Sequence, residues 1–421
     1  MIADVFRAIP IGPVILLGVP FPSAALATSY YVSAENGADE ASGLTSATAV
    51  RTLDAAVDRL QPGDRLIIEA GRYDGPLHLT RSGTATAPID ITGGADALPL
   101  IRSGGDAVIV DADYVRLSRL DAASDGSEGS AIVVQPTHHH VTIADNVAHD
   151  SGCAGIAGLQ TDYLTIRHNL VYGNARQSPW QCSGISLYQA ANSDDLPGVH
   201  NIIEANRVYG NMNRVPDPKL PAALAGHTTD GNGIILDDFR HEQVWQGRKT
   251  PPYRAASLVA NNVTYDNGGR GIEVFHSDDV AVVNNTVRGN LRDTGMVPAR
   301  YGEIYVAFAA RSQLFNNLIA SDTSGCAVMA TNASAVEADY NVTIGGSACH
   351  GRSAGDIVWG RHNVSATGAG FADERKRDLH LTGASPALNR GVAAHVPAAD
   401  FDGRPRPHTG AVDAGAYQFN R

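Results

Sequence analysis

The chain of 421 residues carries 44 Gly and 21 Pro against 6% aromatic and 18% charged residues, a composition that excludes a coiled coil or a helical bundle. Its 43% hydrophobic content supplies a large core and excludes global disorder. Against 44 Asp and Glu there are only 32 Lys and Arg, a net charge of −12, so neither nucleic acid nor an anionic membrane is expected as a partner.

In chain order, residues 1–27 read as an export signal: Arg7 is the early positive charge, Ile9 to Phe21 is apolar, and Ala25-Leu26-Ala27 offers a small-residue cleavage site. The apolar run is too short for the ~20 residues that span a bilayer. A mature chain beginning near Thr28, periplasmic or secreted, is the expectation. Residues 28–87 are expected to form an N-terminal cap and the first coils of a repeated stack. Within them, Thr52 to Leu60 has the spacing of a short amphipathic helix with a Thr cap, suited to cover an open first coil.

Over residues 88–365 the chain repeats itself. The phrases His140 to Asn146, Tyr163 to Asn169 and Val280 to Asn285 are alternating apolar runs that each end on Asn. The series continues as Asn146, Asn169, Asn206, Asn262, Asn285, Asn317, Asn341 and Asn363, with a base period of 23 residues. A second Asn often follows five positions later, at Asn174, Asn211, Asn267 and Asn290. No 3.6-residue pattern accompanies the repeat, so each unit is a turn of β-structure. The fold class expected is all-β, a single right-handed parallel β-helix of roughly ten coils over this span. Asn suits the coil ends because it tolerates the left-handed turn conformation and its amides bond from coil to coil.

The phrase Gly-Ile marks another strand, at Gly155-Ile156, Gly184-Ile185, Gly233-Ile234 and Gly271-Ile272, with Glu303-Ile304 in the matching place. Measured against coils without insertions, 6, 18 and 9 residues are added before Ile185, Ile234 and Ile304, and 8 and 15 after Ile185 and Ile234. Long loops on a regular solenoid are usually functional. They are expected to wall a cleft floored by the Gly-Ile strands. The remaining residues, 366–421, are rich in turn formers and are expected to cap the other end. Cys153 and Cys182 both lie two residues before the Gly of successive Gly-Ile strands, and Cys326 and Cys349 are one period apart. Neighbouring pairs, 153 with 182 and 326 with 349, are therefore expected as disulfides.

Alternation along the floor strands sends Tyr188, Asn232, Asp237, Arg270, Glu273, Phe275 and Tyr305 outward, with Gln189, Asp238 and His276 at the strand ends. Coils stack ~4.8 Å apart, which gathers Asp237, Asp238, Glu273, Arg270 and His276 into one sugar-sized patch. His138-His139-His140 is not read as a metal site, because alternation splits the three apart. Lys219, Lys249 and Lys376 are the only lysines, and the first two sit in the groove-flanking insertions.

From Tyr30 to Arg421 the sequence resembles bacterial right-handed β-helix proteins of the pectate lyase-like superfamily, and among them it is most similar to family 9-type polysaccharide lyases. The opening Tyr30 to Gly37, the Gly271 to Val274 strand and the phrase Asp230 to Asp238 carry the resemblance. It implies a polysaccharide substrate, a monomer, and β-elimination on a uronate. For that chemistry Asp230, Asp237, Asp238 and Glu273 are expected to hold Ca²⁺, with Arg270 or a loop Lys, Lys219 or Lys249, as the base. Asp237, Glu273 and His276 complete the catalytic candidates, and Asn232, Tyr188, Gln189, Phe275 and Tyr305 the substrate-binding ones. No Lys follows the Asp-Gly phrase where a family 9 lyase has its catalytic Lys, so that base does not carry over. The alternatives are a glycoside hydrolase using paired carboxylates in the same groove and a glycan-binding surface without turnover.

Overall fold

Short apolar runs separated by turn residues fold into three strands per coil, and like strands of successive coils pair in parallel. The computed structural model describes residues 27–243, 250–297, 302–322, 326–349 and 356–419. Residues 1–26 of the expected export signal (1–27) and Lys249 lie outside these residues. Three long sheets of 12, 10 and 11 strands result, with one side chain of each alternation filling the bore as a continuous apolar core. The 12-stranded sheet has ten strands between Ile89–Gly93 and Val358–Trp359 inclusive, in agreement with the ten coils expected.

The Asn series forms an unbroken ladder. The backbone N–H and the side-chain Nδ2 of Asn262 both donate to Asn285 Oδ1, at 2.9 and 3.1 Å, and the same pair of hydrogen bonds links every neighbour from Asn146 to Asn363. The positive φ falls on the residue before each of the first seven ladder Asn (Asp145, His168, Ala205, Asn261, Asn284, Asn316, Tyr340), not on the ladder Asn itself. What selects Asn is therefore the amide, which satisfies a buried backbone N–H, rather than tolerance of the left-handed turn.

A second ladder runs from Asn174 through Asn211 and Asn267 to Asn290, and it explains the glycines. A Cβ on Gly155, Gly184, Gly233 or Gly271 would meet the Nδ2 of Asn174, Asn211, Asn267 or Asn290 at 2.6 to 3.0 Å. Where the glycine column ends, Glu303 takes its place, and the carboxylate accepts both amide donors of Asn290.

Toward the N-terminus a helix spans Leu53–Val57, shorter than the expected 52–60. Thr52 caps it by accepting from the Ala55 N–H, and Leu53, Ala56 and Val57 are buried against strands Ser29–Val32 and Leu77–Leu79. Cys153 and Cys182 are bonded, with Cα atoms 5.2 Å apart. Cys326 is also disulfide-bonded, whereas the side chain of Cys349 lies outside the described residues. The tail expected to cap the end instead packs Leu379, Leu381, Ala414 and Tyr417 along the outer face of the 11-stranded sheet, against Val263, Leu318 and Val342. Apolar residues at the outward positions of those strands are the reason.

Candidate functional site

The floor of the site is the 10-stranded sheet, in which Ile156, Ile185, Ile234, Ile272 and Ile304 stand in register. That register creates two outward columns. One is Ser186, Ile235, Glu273 and Tyr305; the other is Tyr188, Asp237 and Phe275, followed by Ala307. Asp237 thus has an aromatic residue on each neighbouring coil. Burial pushes its carboxyl well above the usual carboxylate range, and the charges of Asp230, Glu273 and Asp238 push it further, in that order, while Lys219 opposes them. A half-buried carboxyl raised in this way keeps its proton to higher pH than a solvated one, which is what a general acid requires.

Arg270 and Glu273 lie outward of the bore, as alternation requires, yet they are 0% and 2% exposed. The inserted segments cover them: Arg270 donates from Nη1 to the Thr229 carbonyl at 2.6 Å and to Glu273 Oε2 at 3.3 Å, with its guanidinium 5.2 Å from the Tyr305 ring centroid. Glu273 Oε2 also accepts from Asn232 Nδ2 at 2.8 Å. Asn232 Nδ2 lies 3.4 Å from Asp230 Oδ1 as well, and its Oδ1 takes the Arg270 N–H. A chain Arg270, Glu273, Asn232, Asp230 therefore links the floor strands to the segment before Ile234.

Other expected site residues have different duties. Asp238 is fully buried and its oxygens accept from Gln189 Nε2 and from the Glu242 and Gln243 N–H groups; it and Gln189 fix the turn that leaves the floor. Glu273 has one oxygen taken by two donors. Among the described residues no three His, Cys, Asp or Glu side chains converge as metal ligands. His276 pairs with Glu242 and stacks on Phe308 at 4.6 Å, with Phe275 edge-on. Tyr305 is buried and Tyr188 half-buried, and burial and the nearby Asp237 and Asp238 raise the Tyr188 hydroxyl above its ordinary value.

The walls add residues that the strand pattern did not point to. Trp180, in the insertion before Ile185, is 58% exposed, and Lys219 Nζ stands 5.2 Å from its ring centroid. Glu242 and Gln243 follow the floor strand, and Gln243 Nε2 reaches Asp237 at 3.4 Å. The signal for Trp180 was its place in an insertion, as one of only three Trp.

A family model for the right handed beta helix region matches residues 100–291. Comparison with curated proteins gives no match. Among solved structures the chain is similar to pectate lyase Pel9A, at 16% identity and a TM-score of 0.53 over 93% of this chain and 96% of that one. It is also similar to a protein described as a glycoside hydrolase, at 10% identity and a TM-score of 0.55 over 86% of this chain and 100% of that one. At these identities the likeness is one of fold: the chain is a right-handed parallel β-helix. Among the described residues no helix is long and apolar enough to cross a membrane.

Proposed function

We propose that the protein is an exported glycoside hydrolase whose groove holds a polysaccharide, with Asp237 as the proton donor and Asp230 as its partner carboxylate. The observation that carries this reading is the half-buried Asp237, set between Tyr188 and Phe275 of the neighbouring coils, whose carboxyl is raised by burial and by the charge of Asp230. In the reaction, the Asp237 O–H protonates the glycosidic oxygen as the bond from the anomeric carbon breaks. Asp230 either takes a proton from the attacking water or bonds to the anomeric carbon first, and the anomeric configuration of the product reads out which. The disulfide between Cys153 and Cys182 supports export to an oxidising compartment.

β-Elimination, which the family 9 resemblance put first, needs a base beside a neutralised uronate carboxylate. Arg270 is buried and ion-paired with Glu273, and the floor is lined by carboxylates that repel a uronate at the point of cleavage. The shared fold does not choose, since one neighbour is named a lyase and the other a hydrolase. The test incubates the protein with neutral and uronic-acid polysaccharides, with and without chelator. Reducing ends without unsaturated product, unaffected by chelator, are expected; unsaturated product, or activity abolished by chelator, refutes the hydrolase. Asp237→Asn is expected to lower the rate by about 10²- to 10⁴-fold.

A further inference from the structure

We propose that Trp180 is the stacking platform of a sugar-binding subsite on the groove wall, and that Lys219 makes that subsite prefer a sugar bearing a carboxylate. The inference rests on the groove binding a glycan, and it adds the residue class of the neighbouring sugar. Trp180 is exposed but firmly held. Its Nε1 donates to Glu128 Oε2 at 3.1 Å and its backbone N–H to Ser178 Oγ at 3.1 Å. The next residue, Gln181, is buried and ties this insertion to the following one: its Nε2 donates to the Val215 carbonyl at 2.9 Å, and its Oε1 accepts from the Thr229 N–H at 2.9 Å. One residue further, Cys182 is bonded to Cys153.

Fastenings on three successive residues thus hold an indole out into water, which is the reverse of what burial of apolar surface favours. A rigid aromatic face that loses little entropy on contact is what a sugar ring's C–H face packs against. Lys219 is exposed and stands over that ring, and its charge also acts on the Asp237 carboxyl. The ammonium is thus beside the platform, and its field reaches the acid. An ammonium on a flexible stem is a point charge that recognises a carboxylate without demanding fixed geometry. Glu128 and Asp217 hold the indole and the Lys219 backbone N–H, and the Lys219 ammonium is the cation beside the indole.

The test measures binding in the non-cleaving Asp237→Asn protein, by tryptophan fluorescence and calorimetry, with xylotetraose carrying a single glucuronate or 4-O-methylglucuronate branch as the two acidic probes and unbranched xylotetraose as the neutral one. At least one acidic probe is expected to bind. Trp180→Ala should weaken it at least tenfold, and Trp180→Phe should restore part of the loss. Lys219→Met should weaken the acidic probe about tenfold and leave the neutral one unchanged. Melting temperatures of these wall variants should match the parent, since both side chains are exposed. Failure of both acidic probes to bind, equal affinity in Trp180→Ala, or equal weakening of acidic and neutral probes by Lys219→Met overturns the proposal. So does a collapse of kcat in Lys219→Met with KM unchanged in the otherwise wild-type protein, which would make the ammonium a proton carrier. Binding is read at times before turnover, and cleavage of a probe by the Asp237→Asn protein refutes the hydrolase reading alone, so the two failures are distinguishable.

Discussion

Replacing Glu303 by Gln is expected to stabilise the protein at pH 8 by about 3 kcal/mol and to change little below pH 4.5. Glu303 has no exposed surface and stands where the preceding coils carry glycine, at the end of the second amide ladder. Burial raises its carboxyl, the donors of Asn290 lower it, Asp322 raises it and Arg292 lowers it, and the outcome is a value pushed up from 4.5 to about 7. Between these values the folded protein holds a proton that the unfolded chain has released. Stability is therefore full below 4.5, falls as pH rises through the window, and stays reduced above about 7. At about 1.4 kcal/mol for each pH unit, the window amounts to about 3 kcal/mol. Gln is the neutral isostere: its oxygen still accepts from Asn290 and it carries no charge to desolvate. The assay is urea unfolding of both proteins at intervals from pH 4.5 to 8.5, plotted as a difference. A difference that is flat with pH, or that grows toward acid, refutes the account of the ladder's end.

Three further outcomes follow from the same geometry. Glu273→Ala removes one partner of a buried pair and leaves Arg270 charged in the interior, at a cost of about 3 to 5 kcal/mol by chemical denaturation; a loss under 1 kcal/mol, which an outward solenoid carboxylate would give, speaks against the buried pair. The cleavage rate should fall as pH rises through the Asp237 pKa, because the acid must carry its proton, and Asp237→Asn should abolish that limb of the profile while leaving the denaturation midpoint unchanged or higher. Opening the bond between Cys153 and Cys182, 29 residues apart, by paired Ser substitutions should cost about 3 to 4 kcal/mol in the chain-entropy model; unchanged stability would show that the wall is held by its hydrogen bonds alone.

What the amino-acid sequence determined by itself was the stack. Asn146 to Asn363 recur because every coil presents the same buried N–H to be satisfied, and the glycines at 155, 184, 233 and 271 recur because the second amide column occupies the space a Cβ needs. Such constraints repeat with the period of the fold, so they are written along the chain and can be read from it. The insertions could likewise be counted as departures from that period, and they flank the sheet that floors the groove. Only the tertiary structure decided what the insertions do once folded. Alternation gave the direction of Arg270 and Glu273 but not their burial, which comes from Thr229 and the segments lying over them. It placed Asp237 and Asp238 side by side, whereas the fold leaves one as a half-buried acid between Tyr188 and Phe275 and commits the other to the turn at Glu242 and Gln243. The pairing of Trp180 with Lys219 joins two different insertions, 39 residues apart in the chain. Contacts between loops depend on how each loop packs against its neighbour, a non-repeating interaction for which no period exists to be read.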